Sequence, residues 1–295
     1  MKMTDYAPRS TLLDNDIFLG DGENGTFNIT AQNLASELKK RNEIKNAAEL
    51  YDWLDGSGIP LELRKSLFRG KNLGNALTKE QAKNIVNGSF KGFFIGDYWE
   101  MSNNKWRIVD FNYWNYASQI STPNLLIMPD APILNIVPMC ETRVSIANIG
   151  YVGSDFFINK KKTYDDFVFS LFGENNIISR TSYCQNAFTG NRTSLIGVPD
   201  TKIDLPTEAN LYGTNYLRDN GGYMSFSQDP LQIALFAIDQ SHIPSSPKQT
   251  YWLKEAVSAN TYLDVTHDGL INSSWPDTAR GVRPLFGLSG AAAAA

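Results

Sequence analysis

The chain has 295 residues, enough for one large domain or two ordinary ones. With 42% hydrophobic and 12% aromatic side chains it can bury a sizeable core, which excludes global disorder. A net charge of −4 argues against holding nucleic acid through its phosphates, and two Cys with two His are too few for a thiolate and imidazole zinc site.

Residues 1–30 alternate short apolar runs with turn chemistry. Leu12 and Leu13, Ile17 to Leu19 and Phe27 to Ile29 are separated by Gly20-Asp21-Gly22, a pattern that predicts a β-hairpin or extended arm. Three helices are expected at about 31–41, 43–54 and 60–69, the last with Pro60 near its first turn and Gly70 after its end. A fourth carries the clearest signal. Thr78 and Gln81 form a capping box, each side chain satisfying a backbone N–H of the other, and Gly88 closes the helix. Residues 36–91 carry 11 basic and 7 acidic side chains, which fits a solvated helical face or a surface for an acidic partner.

After Gly92 the sequence turns aromatic and β-rich. Phe93 to Met101 and Lys105 to Phe111 flank Ser102-Asn103-Asn104, predicting a hairpin with a three-residue turn. Further strands are expected at 125–128, 231–238, 250–255, 261–265 and 281–286, with one helix capped by Thr163 and ended by Gly173. The apolar stretch from Leu125 to Met139 is broken by Pro129, Asp130, Pro132 and Pro138, short of the ~20 residues of a membrane helix, and no secretory signal is visible, so no membrane insertion is expected. Cys140 and Cys184 fit a bridge or two buried thiols, and buried thiols are expected.

Catalytic signatures are sparse. His242 precedes Ile243-Pro244 and His267 sits in a Thr266-His267-Asp268-Gly269 turn, so both read as loop residues. The nucleotide-binding, esterase and zinc-protease motifs are absent. Asp97, Glu100, Asp110 and Glu141 lie among aromatic residues, a setting shared by sugar-cleaving carboxylates and by edge or turn residues beside a core. Asp14-Asn15-Asp16 with Asp21-Gly22 resembles a calcium loop but lacks its glycine and terminal glutamate, and reads as a polar turn. No metal and no cofactor is expected.

The stretch from Tyr251 to Phe286 reads differently. Between Tyr251-Trp252-Leu253 and Gly281-Val282-Arg283-Pro284 it places Asn260, Tyr262, Asp264, Thr266, Asp268, Asn272, Ser274, Trp275 and Asp277, many at alternate positions. Alternation puts such residues on one strand face, where rigid rings and amides make efficient recognition surfaces. A solvated loop fits equally well.

Those two end motifs, with Phe94-Ile95-Gly96-Asp97-Tyr98-Trp99 and Trp106-Arg107-Ile108-Val109-Asp110-Phe111, resemble phage and prophage proteins of Gram-positive bacteria. Their C-terminal domain is related to the C-type-lectin-like and formylglycine-generating-enzyme-like folds. The resemblance covers about 90–288. It implies that Asn260, Tyr262, Asp264, Asp268, Asn272, Ser274 and Trp275 form a displayed ligand-binding surface, and that Trp99, Trp106, Trp252, Gly281 and Arg283 determine the fold. Leu13-Asp14-Asn15-Asp16-Ile17-Phe18-Leu19, followed by Gly25-Thr26-Phe27-Asn28-Ile29-Thr30-Ala31, is similar to the attachment segment of phage fibres, which implies a virion-attachment role for Leu13, Asp14, Asp16, Phe18, Phe27 and Ile29.

The departures limit what is carried over. The cysteines stand early and apart, so formylglycine-generating activity is not implied. Gln228-Asp229-Pro230 and Trp275-Pro276-Asp277 are scrambled relative to the calcium-lectin motifs, so calcium-dependent sugar binding is not implied either.

The expectation is therefore an α+β protein. An extended virion-attachment arm over 1–35 and a short-helical connector over 36–90 precede a C-type-lectin-like antiparallel β domain with long loops over 91–290. It is expected to be a non-enzymatic virion structural protein, a capsid decoration, head fibre or tail-associated fibre. Its expected partners are other virion proteins, a host-surface polysaccharide and further copies of itself as a homo-oligomer. A virion-borne glycosidase and a purely structural cement protein are the alternatives.

Overall fold

The computed structural model describes residues 17–20, 27–30, 47–56, 58–118, 120–189, 192–214 and 231–295. The chain divides into two compact units, residues 1–64 and 65–295. The second unit takes in the Thr78-capped helix, which the sequence reading assigned to a connector. Leu13, Asp14, Asp16, the Asp21-Gly22 turn, the expected helix at 31–41 and Gln228-Asp229-Pro230 lie outside the described residues.

In the first unit β1 (Ile17–Gly20) pairs antiparallel with β2 (Phe27–Thr30), Phe18 opposite Ile29 and Gly20 opposite Phe27, as the alternation predicts. Two helices follow, α1 (Ala47–Gly56) and α2 (Leu61–Lys65). The helix expected over 60–69 ends at Lys65, and the residues after it run beside a sheet edge within the second unit. Phe68 bridges Ile95, and Leu73 N–H donates to Tyr98 O at 2.7 Å.

The second unit is mixed α and β. Its larger sheet consists of β3 (Tyr98–Met101), β4 (Asn104–Phe111), β5 (Leu125–Pro129), β8 (Ile203–Asp204) and β12 (Leu285–Leu288). The order is β3-β4-β5-β12-β8, with every pairing antiparallel. The β3–β4 turn has two residues rather than the expected three. Ser102 and Asn103 both take positive φ, +50° and +58°, which matches the strand twist better than a longer loop.

Against this sheet lies α4 (Lys161–Phe172), whose Tyr164, Val168 and Phe172 form a buried stripe at helical spacing. Phe172 meets Trp106 at 5.5 Å and Phe286 at 5.1 Å, edge to face, so helix and sheet share one aromatic core. Gly173 ends α4 with φ +78° as expected, but Thr163 is not its cap. A wider turn over Phe156–Lys160 runs directly into the helix and leaves Thr163 inside it. α3 (Lys79–Val86) has the expected Thr78–Gln81 capping box, and Gln81 Oε1 also accepts from Trp99 Nε1 at 3.1 Å, tying the helix to the sheet.

Two further segments differ from expectation. Residues 231–238, expected as a strand, contain α6 (Ala234–Ile238), which follows the short α5 (Glu208–Tyr212). A short apolar run has no period that separates strand from helix, and Asp110 Oδ2 accepting the Ala234 N–H at 3.0 Å decides the matter. Likewise β6 (Arg180–Thr189) and β7 (Arg192–Thr201) form a hairpin in a Ser-, Thr- and Asn-rich stretch that reads as loop.

Candidate functional site

The Tyr251 to Phe286 stretch folds as a three-stranded meander, β9 (Tyr251–Ser258), β10 (Thr261–Val265) and β11 (Ile271–Ser274), with β10 in the middle. The sequence reading missed β11, which is too polar to read as a strand. The base of the excursion is closed by the two end motifs. Trp252 N–H donates to Gly281 O at 3.0 Å, and Gly281 N–H donates to Thr250 O at 2.9 Å. Arg283 lies over the Tyr251 ring at 4.8 Å and donates to Pro129 O and Ile243 O, both at 2.8 Å. A Cβ on Gly281 would sit 2.6 Å from Pro132, so glycine is required where the strands close. Trp99, Trp106, Trp252, Gly281 and Arg283 are all buried, in keeping with a role in the fold.

Tyr262 stands opposite Ser274 and Asp264 opposite Asn272, so these four residues share one face, as the alternation requires. Over β10 that face is covered, as is the opposite one with Leu263 and Val265. Tyr262, Asp264 and Ser274, expected to be displayed, are buried. Tyr262 donates to Gly150 O at 2.5 Å, and burial raises its hydroxyl well above the ordinary range. Asp264 Oδ2 accepts from Ser274 Oγ at 2.6 Å and from Arg280 Nε at 2.7 Å, while its Oδ1 has no partner. The reason is the segment 137–150, which crosses this face through the Val137–Arg280 bridge, Cys140 N–H to Pro276 O and Ile146 N–H to Ala259 O.

The remaining expected ligand residues are exposed but divided between the ends of the meander. Asn260 lies in the β9–β10 turn and Trp275 follows β11 at that same end. Asp268 lies in the β10–β11 turn at the other end, with Asn272 exposed on the edge strand. Trp275 is 41% exposed. The guanidinium of Arg143 stacks over its ring at 4.6 Å and pairs with Asp277 at 3.3 Å, while Ser145 Oγ donates to Ala259 O beside Asn260. An aromatic ring flanked by a guanidinium, a carboxylate and an amide suits recognition of a polar, hydroxyl-bearing ligand. Arg143 had no sequence signal, because it reaches the site from a distant loop.

The other chemically capable residues are engaged in structure. Asp97 accepts a bidentate pair from Arg69 at 2.6 and 3.0 Å and the N–H groups of Lys71 and Phe94; burial raises its carboxyl, with Arg69 opposing. Asp110 accepts from Phe111 N–H and Ala234 N–H. Glu141 pairs with Lys160, and Glu100 accepts from Asn72 at the surface. His242 stacks on Phe68 at 5.3 Å, with burial lowering its imidazole, and His267 is exposed beside Asp268. Cys140 and Cys184 are free thiols and buried.

A buried polar cluster lies under the meander. Asp204 accepts from Ser182 Oγ and from Lys254 Nζ at 3.1 Å, with Arg180 at 3.7 Å and Tyr151 donating to its second oxygen at 3.3 Å. Burial acts to raise this carboxyl, but Lys254, Arg180 and Lys161 outweigh it and hold it down at about 2. Lys254 Nζ is also 3.2 Å from Ser182 Oγ, but its contact with an ionised carboxylate makes it a charge partner.

Among the described residues no cluster of three His, Cys, Asp or Glu side chains forms a metal site, and no helix is long and apolar enough to cross a membrane. Comparison of the chain with protein-family models, with curated proteins and with solved structures finds no match.

Proposed function

We propose that this chain is a bacteriophage virion structural protein that displays a C-type-lectin-like domain for adhesion to host-surface polysaccharide. The observation that carries this reading is the closure of the meander at its base. The Tyr-Trp-Leu and Gly-Val-Arg-Pro motifs, which carry the family resemblance, are hydrogen-bonded to each other through Trp252, Gly281 and Thr250, so the segment between them leaves and returns at one buried foundation. Such a device lets the outer residues vary without loss of the core. Trp275, Asn260, Arg143 and Asp277 are the residues it presents at one end.

The reading covers a head decoration, a head fibre and a tail-associated fibre alike, and repetition of a weak site on a particle raises its avidity. The test is gold labelling of particles of the source phage with antibody against the chain, paired with adsorption of particles carrying Trp275→Ala. Labelled particles and reduced adsorption are expected. Particles without label overturn the virion assignment, and labelled particles with unchanged adsorption replace the adhesive role with a cementing one.

A further inference from the structure

Residues 65–91 carry six basic side chains and a single acidic one, Glu80, in a chain that is acidic overall. Three of the cations are engaged. Arg69 pairs with Asp97, Lys65 lies 3.6 Å from Asp110, and Lys79 donates to Ala295 O at 2.9 Å. Lys71 and Lys91, with no side-chain hydrogen bond or ion pair among the described residues, line the same cleft of about 270 Å³ between α3 and the extended segment before β3. Asn72, Asn84 and Glu80 complete its polar wall, and Phe93 lies at its base.

The cleft is held in shape from below. Asp97 Oδ1 accepts the Lys71 N–H at 2.9 Å, and Arg69, paired with Asp97, donates from Nη2 to Gly92 O at 2.7 Å. One buried ion pair thus fixes both lysine-bearing segments. Asn84 Nδ2 donates to Lys91 O at 3.2 Å, and Gln81 Nε2 donates to Leu73 O at 3.0 Å, joining the helix to both segments. The two ammonium groups are therefore carried on backbone that is already ordered, which lowers the cost of binding a ligand between them.

We infer that this cleft binds a hydroxyl-rich anion of monosaccharide size, a sugar unit bearing a carboxylate or a phosphate. Its volume of about 270 Å³ lies just below the ~300–1,000 Å³ typical of ligand sites, which suits a single unit rather than a strand. The two lysines against Glu80 leave an excess of positive charge that selects an anion, while Glu80 and the side-chain oxygen of Asn84 offer acceptors for hydroxyl groups. The inference is independent of the virion reading, since none of these residues belongs to the meander.

The experiment is a titration of the full chain, followed by amide chemical shifts, with glucuronate, glucose 6-phosphate, glucose and inorganic phosphate in parallel. Saturable binding of an acidic sugar about tenfold tighter than glucose is expected, weakening as salt is raised. Preference for glucuronate or for glucose 6-phosphate identifies the anionic group. Lys71→Gln and Lys91→Gln are each expected to weaken binding by about threefold or more, and Glu80→Gln to strengthen it. All three side chains are exposed, so the variants keep the fold. The inference is overturned if neither acidic sugar saturates in the millimolar range, if glucose or bare phosphate binds as tightly, or if both lysine variants bind as the parent does.

Discussion

Arg280 donates from Nε to Asp264 Oδ2 across 2.7 Å, linking the segment that returns to the core with the central strand of the meander. Asp264 is fully buried, whereas Arg280 is 27% exposed at its side chain. Asp264→Ala is expected to destabilise the protein by about 3–5 kcal/mol, because it leaves the guanidinium and Ser274 without their shared acceptor. Arg280→Lys should cost less, about 1–2 kcal/mol, since an ammonium cannot reproduce the planar contact that spans Asp264 Oδ2 and Ser274 Oγ. Urea unfolding of the two variants checks the order, and an Arg280→Lys variant as stable as the parent would show that the fork geometry is unimportant.

The Asp204 cluster predicts a pH dependence with a defined sign. The folded carboxyl lies at about 2 against an ordinary value of 3.8 when unfolded. The unfolded chain therefore takes up the proton first as pH falls, so this contribution is fully present above about pH 5 and disappears on acidification from about 4 towards 2. It amounts to about 2 kcal/mol. Asp204→Asn should be less stable than the parent at pH 7, with the gap closing across that window. A gap that stays constant from pH 7 to 2.5 would show that the carboxylate's charge is not what stabilises the cluster.

Gly96 is positioned where a side chain has no room. Its φ is +88°, and a Cβ built there falls 2.2 Å from Phe68 Cε2, on the ring that stacks against His242. Gly96→Ala is expected to cost about 2–4 kcal/mol through backbone strain and collision together. Adding Phe68→Ala should recover the collision but not the strain. Additive losses in the double variant would contradict the close approach.

Trp275 offers the opposite test. It is substantially exposed and its main contact is the Arg143 guanidinium, so Trp275→Ala should change stability by no more than about 1 kcal/mol. Binding of the purified chain to host cell-wall polysaccharide should fall severalfold in that variant and in Arg143→Ala. Thermal melts separate this outcome from misfolding, and retained polysaccharide binding in both variants would remove this end of the meander from the adhesive reading.

Local chemistry alone determined several features of this protein. The Thr78–Gln81 box starts α3, Gly173 ends α4, and the alternation from Tyr262 to Ser274 places Tyr262, Asp264, Asn272 and Ser274 on a common face. These depend on neighbours a few residues apart, which a sequence displays directly. Both faces of β10 are covered, Leu263 and Val265 on one and Tyr262 and Asp264 on the other, and the cover over the second is segment 137–150, which period two does not reveal because it fixes only which side chains point together. The run 231–238 became helical through Asp110, more than a hundred residues upstream, and Arg143 reached Trp275 from a loop equally remote in sequence. The lysines of the cleft were visible as a basic stretch, but their meeting across one cavity rests on the Arg69–Asp97 pair. Long-range pairings leave no local periodicity, so tertiary structure alone decided which polar residues became core, which became surface and which came to face one another.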